Sequence, residues 1–414
     1  MVRHFTALLL ILLFPGDLFS QEVVEWRGTN RSGIYPDQNL LKNWPVNGPQ
    51  LILELSKIGN GYSSAVLYKN NIVVCGKKDT MDVVSSYELN GKKNWETAYG
   101  RAWNRTFPET RCTPTIENNR IYVVSGMGEM SCIDAGSGKL IWTVDAQTKY
   151  KGEPHKWGVA ESPAISDKAV FYVTGGEVTS VIALDKTNGN LIWKTKSLGG
   201  TSAYASSVII EKAGLRLLLA QTANDLMAIN IENGDIIWNY NLMKHHNGEM
   251  GKGANTNTPL FYNNEIFITS GYDHPAIMLS LSTDGRSISL KWTNPDFDNH
   301  LGGVVKVGDF IYGSNWLNNT AGNWMCVDWE TGKTMYETKW FCKGPIISAD
   351  GLLYCYEEKS GNLALVKPNP EKFDIVSSFK ITKGEGPHWA HPTIYDGKLL
   401  VRHGESLLVY SLRN

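Results

Sequence analysis

Between Ser131 and Asp145 the chain reads SCIDAGSGKLIWTVD: a strand, an Asp-x-x-x-Gly turn and a second strand carrying a Trp. The pattern returns as IALDKTNGNLIWKTK from Ile182 and as MAINIENGDIIWNYN from Met227, where Asn230 replaces the aspartate. Weaker copies are SYELNGKKNWETA from Ser86, LSLSTDGRSISLKWT from Leu279 and MCVDWETGKTMYETK from Met325, the last with Tyr336 in the tryptophan position. The aromatic anchors Trp95, Trp142, Trp193, Trp238, Trp292 and Tyr336 are thus spaced by 47, 51, 45, 54 and 44 residues. A period of that size is the signature of a repeat architecture.

Each unit reads as a hairpin. Apolar residues flank the turn on both sides, and the turn Gly supplies the positive φ that a tight connection needs. Upstream of each hairpin lies a second pair, such as TPTIENNRIYVVSG from Thr113 to Gly126, where Asn118 and Asn119 make the turn. Four antiparallel strands per unit make one blade of a β-propeller.

Blades are expected at residues 61–99, 111–145, 160–196, 203–241, 256–294, 301–339 and 343–381, seven complete units. The tail from Trp389 to Leu412 offers three strands, and the orphan LILEL, Leu51 to Leu55, supplies a fourth. Joining the two chain ends in one blade closes the ring and removes exposed sheet edges. The expected fold is therefore all-β, an eight-bladed β-propeller of four-stranded antiparallel blades closed by the N-terminal strand. Seven blades with a stray tail is the competing architecture, and it leaves LILEL unexplained.

The first twenty residues are of another kind. Arg3 and His4 precede an apolar run from Phe5 to Phe14, and Ser20 stands before Gln21. This is the layout of a cleaved secretory signal, too short to span a bilayer. Residues 1–20 are expected to leave and 21–414 to form a single propeller domain, with 21–50 an irregular lead-in rich in Gly, Pro and Asn; an uncleaved anchor is the alternative. No Cys near the cleavage region provides a lipidation site, and no later stretch resembles a transmembrane helix. The chain is expected to be periplasmic or secreted.

With 40 basic and 41 acidic residues the chain has no charge excess to draw it to nucleic acid or an anionic membrane. Its 14 Trp fall mostly at blade-periodic positions, which makes them packing residues first. In an exported protein six cysteines permit disulfides. Cys342 and Cys355 are placed to face each other across an antiparallel pair, as a bridge or as small buried apolar residues. No spacing fits zinc or haem.

The Asp-x-x-x-Gly-x-x-x-Trp repeat with terminal closure resembles the quinoprotein-type propeller superfamily, whose members include pyrroloquinoline quinone dehydrogenases and the outer-membrane assembly factor BamB. The opening WRGTNRSGIYP, the WGVAESPAI stretch and the ending HWAHPTIYDGKLLVRHGESLLVYSL are similar to PQQ-binding-like β-propeller repeat proteins. The resemblance spans essentially the whole mature chain. It implies the fold and leaves function open between a BamB-like envelope scaffold or binding protein and a quinone- or metal-dependent oxidoreductase acting on an alcohol or sugar. Fold and activity separate freely on such scaffolds. Two parts of a family dehydrogenase are missing: adjacent cysteines and a haem-attachment motif. Glu161 is the one carboxylate whose setting suggests a ligand to a metal beside the quinone, with Asn257 assisting. No catalytic residue is assigned, and pyrroloquinoline quinone with calcium stays open as the cofactor to test.

The segments that enter the innermost strands converge at one mouth of the central channel. They bring Tyr62, Arg111, Glu161, Tyr204, Asn257, His300, Lys343, His388, Trp389 and His391 towards it. Loops on a rigid scaffold are where binding residues gather, so a protein partner or small ligand is expected there, with the chain a monomer. A water-filled polar channel is the plainer alternative. WNRTFPETRC and HKWGVAE add aromatics at the same mouth, while His245 and His246, adjacent in an extended linker, are expected to point apart.

Overall fold

The computed structural model describes residues 23–414 apart from 248 and 250; the expected signal segment therefore lies outside the described residues. The described residues form eight blades of four antiparallel strands each, numbered here 1 to 8 in chain order: 66–101, 115–145, 164–194, 208–241, 260–294, 305–338, 346–380, and the closing blade. In the closing blade, strands Thr393–Tyr395, Lys398–His403 and Ser406–Ser411 run outward from the axis, and Leu51–Leu55 pairs antiparallel with Ser406–Ser411 as the outermost strand. The eight-bladed expectation holds.

Tryptophan welds neighbouring blades together. The indole N–H of Trp95 donates to the Ala135 carbonyl (3.2 Å), Trp142 to Lys186 (3.1 Å), Trp193 to Ile231 (2.8 Å), Trp238 to Gly285 (3.2 Å) and Trp292 to Trp329 (3.0 Å). Each acceptor lies in the corresponding turn of the next blade. A Cβ on the turn glycine would collide with that ring: 2.5 Å from Trp95 at Gly138 and 2.5 Å from Trp292 at Gly332. The motif glycine is therefore demanded twice, by its positive φ and by the indole lying on it.

A second seam runs around the axis. Two residues before each innermost strand stand Ser64, Thr113, Ser162, Ser206, Thr258, Gly303, Gly344 and His391. The backbone N–H of Ser64 donates to Thr113 Oγ1, Thr113 to Ser162 Oγ, Ser162 to Ser206 Oγ, and Ser206 to Thr258 Oγ1, all at 2.9–3.1 Å. The relay lapses at the two glycines, and Arg27 of the lead-in fills the gap. Its guanidinium donates to the Val304 carbonyl (2.5 Å) and the Ile346 carbonyl (3.0 Å) and meets His391 Nδ1 at 2.8 Å. A Cβ at Gly303 would lie 2.4 Å from that guanidinium.

The lead-in is thus more ordered than its composition suggests. Val24 bridges to Ile116 of blade 2, and Ile34–Tyr35 pairs in parallel with the innermost strand of blade 7, making a fifth strand there. All six cysteines are buried and free, including Cys342 and Cys355. Cys355 faces Ile346 and Ala364 in the ladders, while the Cys342 thiol donates to the Thr320 carbonyl, so the two do not form the bridge that their spacing allowed.

Candidate functional site at the channel mouth

Tyr62, Arg111, Tyr204 and Trp389 all stand four residues before a strand, and all four join the mouth. Trp389 packs on Tyr62 and Phe107 (ring centroids 4.8 and 5.5 Å). Arg111 donates to the Phe107 carbonyl and, at 2.8 Å, to the Trp157 carbonyl. The Tyr204 hydroxyl accepts from the Trp157 backbone N–H (2.9 Å) and bonds His155 Nδ1. Trp157 in turn stacks on Tyr272 (6.3 Å, 17°), which meets His300 edge-on at 4.6 Å.

The far arc is ionic. Lys343, 2% exposed, pairs with Glu358 at 2.5 Å and donates to the Asn318 carbonyl at 3.0 Å. Trp389 lies close enough to the Glu358 carboxylate to oppose the rise that burial gives it. Burial, with Lys343 adding to it, depresses His300 to about 3, so the imidazole is neutral; its Nε2 is buried without a partner.

Four expected site residues turn elsewhere. Glu161 and Asn257 stand three residues before their strands and turn between blades, whereas Lys343 at the same offset pairs with Glu358. Glu161, 2% exposed, accepts from the Val173 N–H (2.9 Å) and the Ser207 hydroxyl (3.2 Å), tying blade 3 to blade 4. Asn257 donates to the carbonyls of Asn299 (2.7 Å) and His300 (2.9 Å). His388 bonds the Tyr356 hydroxyl and stacks on His403 at 3.6 Å, and His391 is held by Arg27 and the Leu301 carbonyl. His245 stacks on Tyr240 and His246 on His274, so the adjacent imidazoles do diverge.

Burial raises Glu161 to about 7, and both of its oxygens are engaged by protein donors. Among the described residues no three His, Cys, Asp or Glu side chains converge to hold a metal. This donor set does not fit a calcium–quinone centre. The repeat pattern does not single out His155, Tyr272, Glu358 or Trp316, which packs on Tyr272 at 5.3 Å; His155 lies in the HKWGVAE loop, and the others come from segments between strands that carry no repeat signal.

Fold and repeat together define a closed eight-bladed propeller of the quinoprotein type. A family model described as the outer membrane protein assembly factor BamB matches residues 80–338, and the chain belongs to that family. Tetrathionate hydrolase of Acidithiobacillus ferrooxidans is 22% identical over 62% of this chain and 49% of that enzyme. Quinoprotein ethanol dehydrogenase of Pseudomonas aeruginosa is 26% identical over 38% of this chain and 28% of the enzyme, and BamB of Yersinia pestis 24% over 36% of each. These matches span about half or less of the relatives' own length. Among solved structures, a europium-containing methanol dehydrogenase superposes with TM-score 0.72 at 12% identity, over 94% of this chain and 90% of that one. BamB from Moraxella catarrhalis gives 0.64 at 13%, over 88% and 99%. At such identities the likeness is one of fold.

Proposed function

We propose that this chain is an exported, non-catalytic propeller of the cell envelope that receives a protein segment or small ligand at its channel mouth. The observation that carries the reading is the gathering of aromatic and polar side chains there: Trp389 on Tyr62 and Phe107, Arg111 bonded to the Phe107 and Trp157 carbonyls, Trp157 with Tyr204 and Tyr272, Tyr272 against His300, and the buried Lys343–Glu358 pair. Phe107 adds a second mark. It is 45% exposed and sits at φ 53°, a left-handed conformation that is costly for a bulky residue, beside Trp389. Aromatic faces with a few fixed donors, on loops held by a rigid ring, suit a ligand that costs little ordering to bind. Membership of the BamB family favours a binding role over catalysis. The mature chain would begin near Gln21 and act as a monomer; among the described residues no helix is long and apolar enough to cross a membrane.

The test is to soak crystals of residues 21–414 with candidate sugars, with peptides, and with pyrroloquinoline quinone plus calcium. Density at the mouth that is lost in Arg111→Met and Trp389→Ala supports the proposal. Ligand density confined to the outer blade faces, with both variants silent, overturns it. Saturable quinone absorbance and dye reduction by the purified protein would instead establish the oxidoreductase alternative.

A further inference from the structure

Two mouth loops, residues 102–114 and 151–163, meet at one corner of the ring, and neither carries a strand. Trp103 of the first packs so closely on the second that a Cβ at Gly158 would lie 2.7 Å from its ring. Arg111 fastens the pair again, through the carbonyls of Phe107 and Trp157. On this frame stand two free cations. The Arg105 guanidinium lies over the Trp103 ring (5.2 Å) and the Lys156 ammonium over the Trp157 ring (4.5 Å). Both residues are exposed, and neither forms a hydrogen bond or an ion pair among the described residues. Of the acids in these loops, Glu161 is turned into the seam between blades and Glu109 is half-buried, so Glu153 alone stands exposed against Arg105, Lys151 and Lys156. The corner is therefore positive in a chain whose net charge is -1.

We propose that this corner of the mouth receives a hexuronate, the acidic sugar residue of a glycan. The inference rests on the mouth being the ligand site argued above, and it names the class of ligand. A pyranose ring has an apolar C–H face, for which the exposed ring of Phe107 and the partly exposed ring of Trp157 supply flat partners. Its carboxylate projects from the ring edge, where a guanidinium pairs with both oxygens and an ammonium with one. A neutral sugar would leave both cations unused, and a bare inorganic anion would leave the rings unused. An acidic peptide fits less well. The Phe107 and Trp157 carbonyls are already taken by Arg111, and no strand edge runs through these loops for a peptide backbone to pair with. The Arg111 clamp fixes the two loops together beforehand, which lowers the ordering cost of binding.

Titration calorimetry on residues 21–414 with trigalacturonate tests it, set against the trimethyl ester, which keeps the rings and loses the charge, and hexaglutamate, which keeps the charge and loses the rings. Trigalacturonate is expected to bind saturably and more weakly as salt rises, and each comparison compound at least about tenfold more weakly. Exposed ion pairs are individually worth little, so Arg105→Gln or Lys156→Gln alone should weaken trigalacturonate a few-fold and the double variant about tenfold, with melting unchanged. No saturable trigalacturonate heat, equal binding of the ester or of hexaglutamate, or a silent double variant overturns the proposal. If the ester or hexaglutamate binds in a manner that Trp389→Ala abolishes while trigalacturonate does not bind, this inference falls and the mouth reading stands. Trigalacturonate binding indifferent to both Trp389→Ala and Arg111→Met would sink the two together.

Discussion

At Glu161 burial and charge are in conflict. Two donors bind its carboxylate and Arg31 favours the charged form, yet burial outweighs them and raises it to about 7. The sign follows from linkage: the folded chain holds a proton that the unfolded carboxyl has released above roughly its usual pKa of about 4.3. Glu161 therefore contributes stability that is present below that value and is lost as pH rises through about 7. Gln keeps an acceptor for the Val173 N–H and carries no charge. Glu161→Gln should be neutral at pH 4 and stabilising at pH 8, read as an upward shift in denaturant midpoint at pH 8 only. Equal midpoints at pH 8 would show that the carboxylate is better solvated than its setting implies. The sequence marked this residue as distinctive because a Glu preceded an innermost strand. It could not say that the side chain served the seam between blades rather than the mouth, because a step of one residue along an extended backbone reverses direction.

Among the elements, the outer strand of each blade shows the clearest economy of design. In blades 1 to 6 it carries an aromatic anchor, and just before that anchor its pairing with the neighbouring strand shifts register, as between Leu140 and Trp142 in blade 2; the same shift occurs in blades 7 and 8 without an aromatic. Such bulges interrupt the edge and discourage pairing with another chain. Exposed aliphatics sit there, among them Ile141, Ile192 and Val376. The anchor can be dissected at Trp193. Trp193→Phe should cost about 1–2 kcal/mol, the loss of its bond to the Ile231 carbonyl and some packing. Trp193→Ala should cost about 3–5 kcal/mol, since it also leaves a cavity beside Gly234. Equilibrium unfolding measures both; a Trp193→Phe variant as stable as the parent would mean that the indole N–H contributes nothing. The repeat spacing announced these strands and their tryptophans plainly. The bulge was not legible, since the extra residue obeys the same apolar pattern as its neighbours.

The ring as a whole depends on the lead-in at two places. Leu51–Leu55 completes the closing blade, and Arg27 bridges the gap that Gly303 and Gly344 leave in the axial relay. Deleting residues up to 56 should strip both, exposing the edge Ser406–Ser411 and leaving buried carbonyls unbonded. The expected result is aggregation or loss of the single cooperative melting transition. A truncated chain that melts like the full one would mean that closure is dispensable. What the sequence determined alone was whatever repeats: blade number, strand order, the turn glycines and the aromatic anchors, since each copy reports the same local demand and the copies reinforce one another. The N-terminal strand was legible too, because three strands at one chain end and a single orphan at the other make up one blade of four. Only the tertiary structure decided how the non-repeating residues sort: that Arg111, Tyr204, His300 and Trp389 join one contact network while Lys343 pairs with Glu358, that Glu161, Asn257, His388 and His391 hold blades together, and that Arg27 of the irregular lead-in completes the axial relay. Those outcomes rest on contacts between residues up to 364 positions apart, such as Arg27 with His391, and no local pattern carries the distance between them.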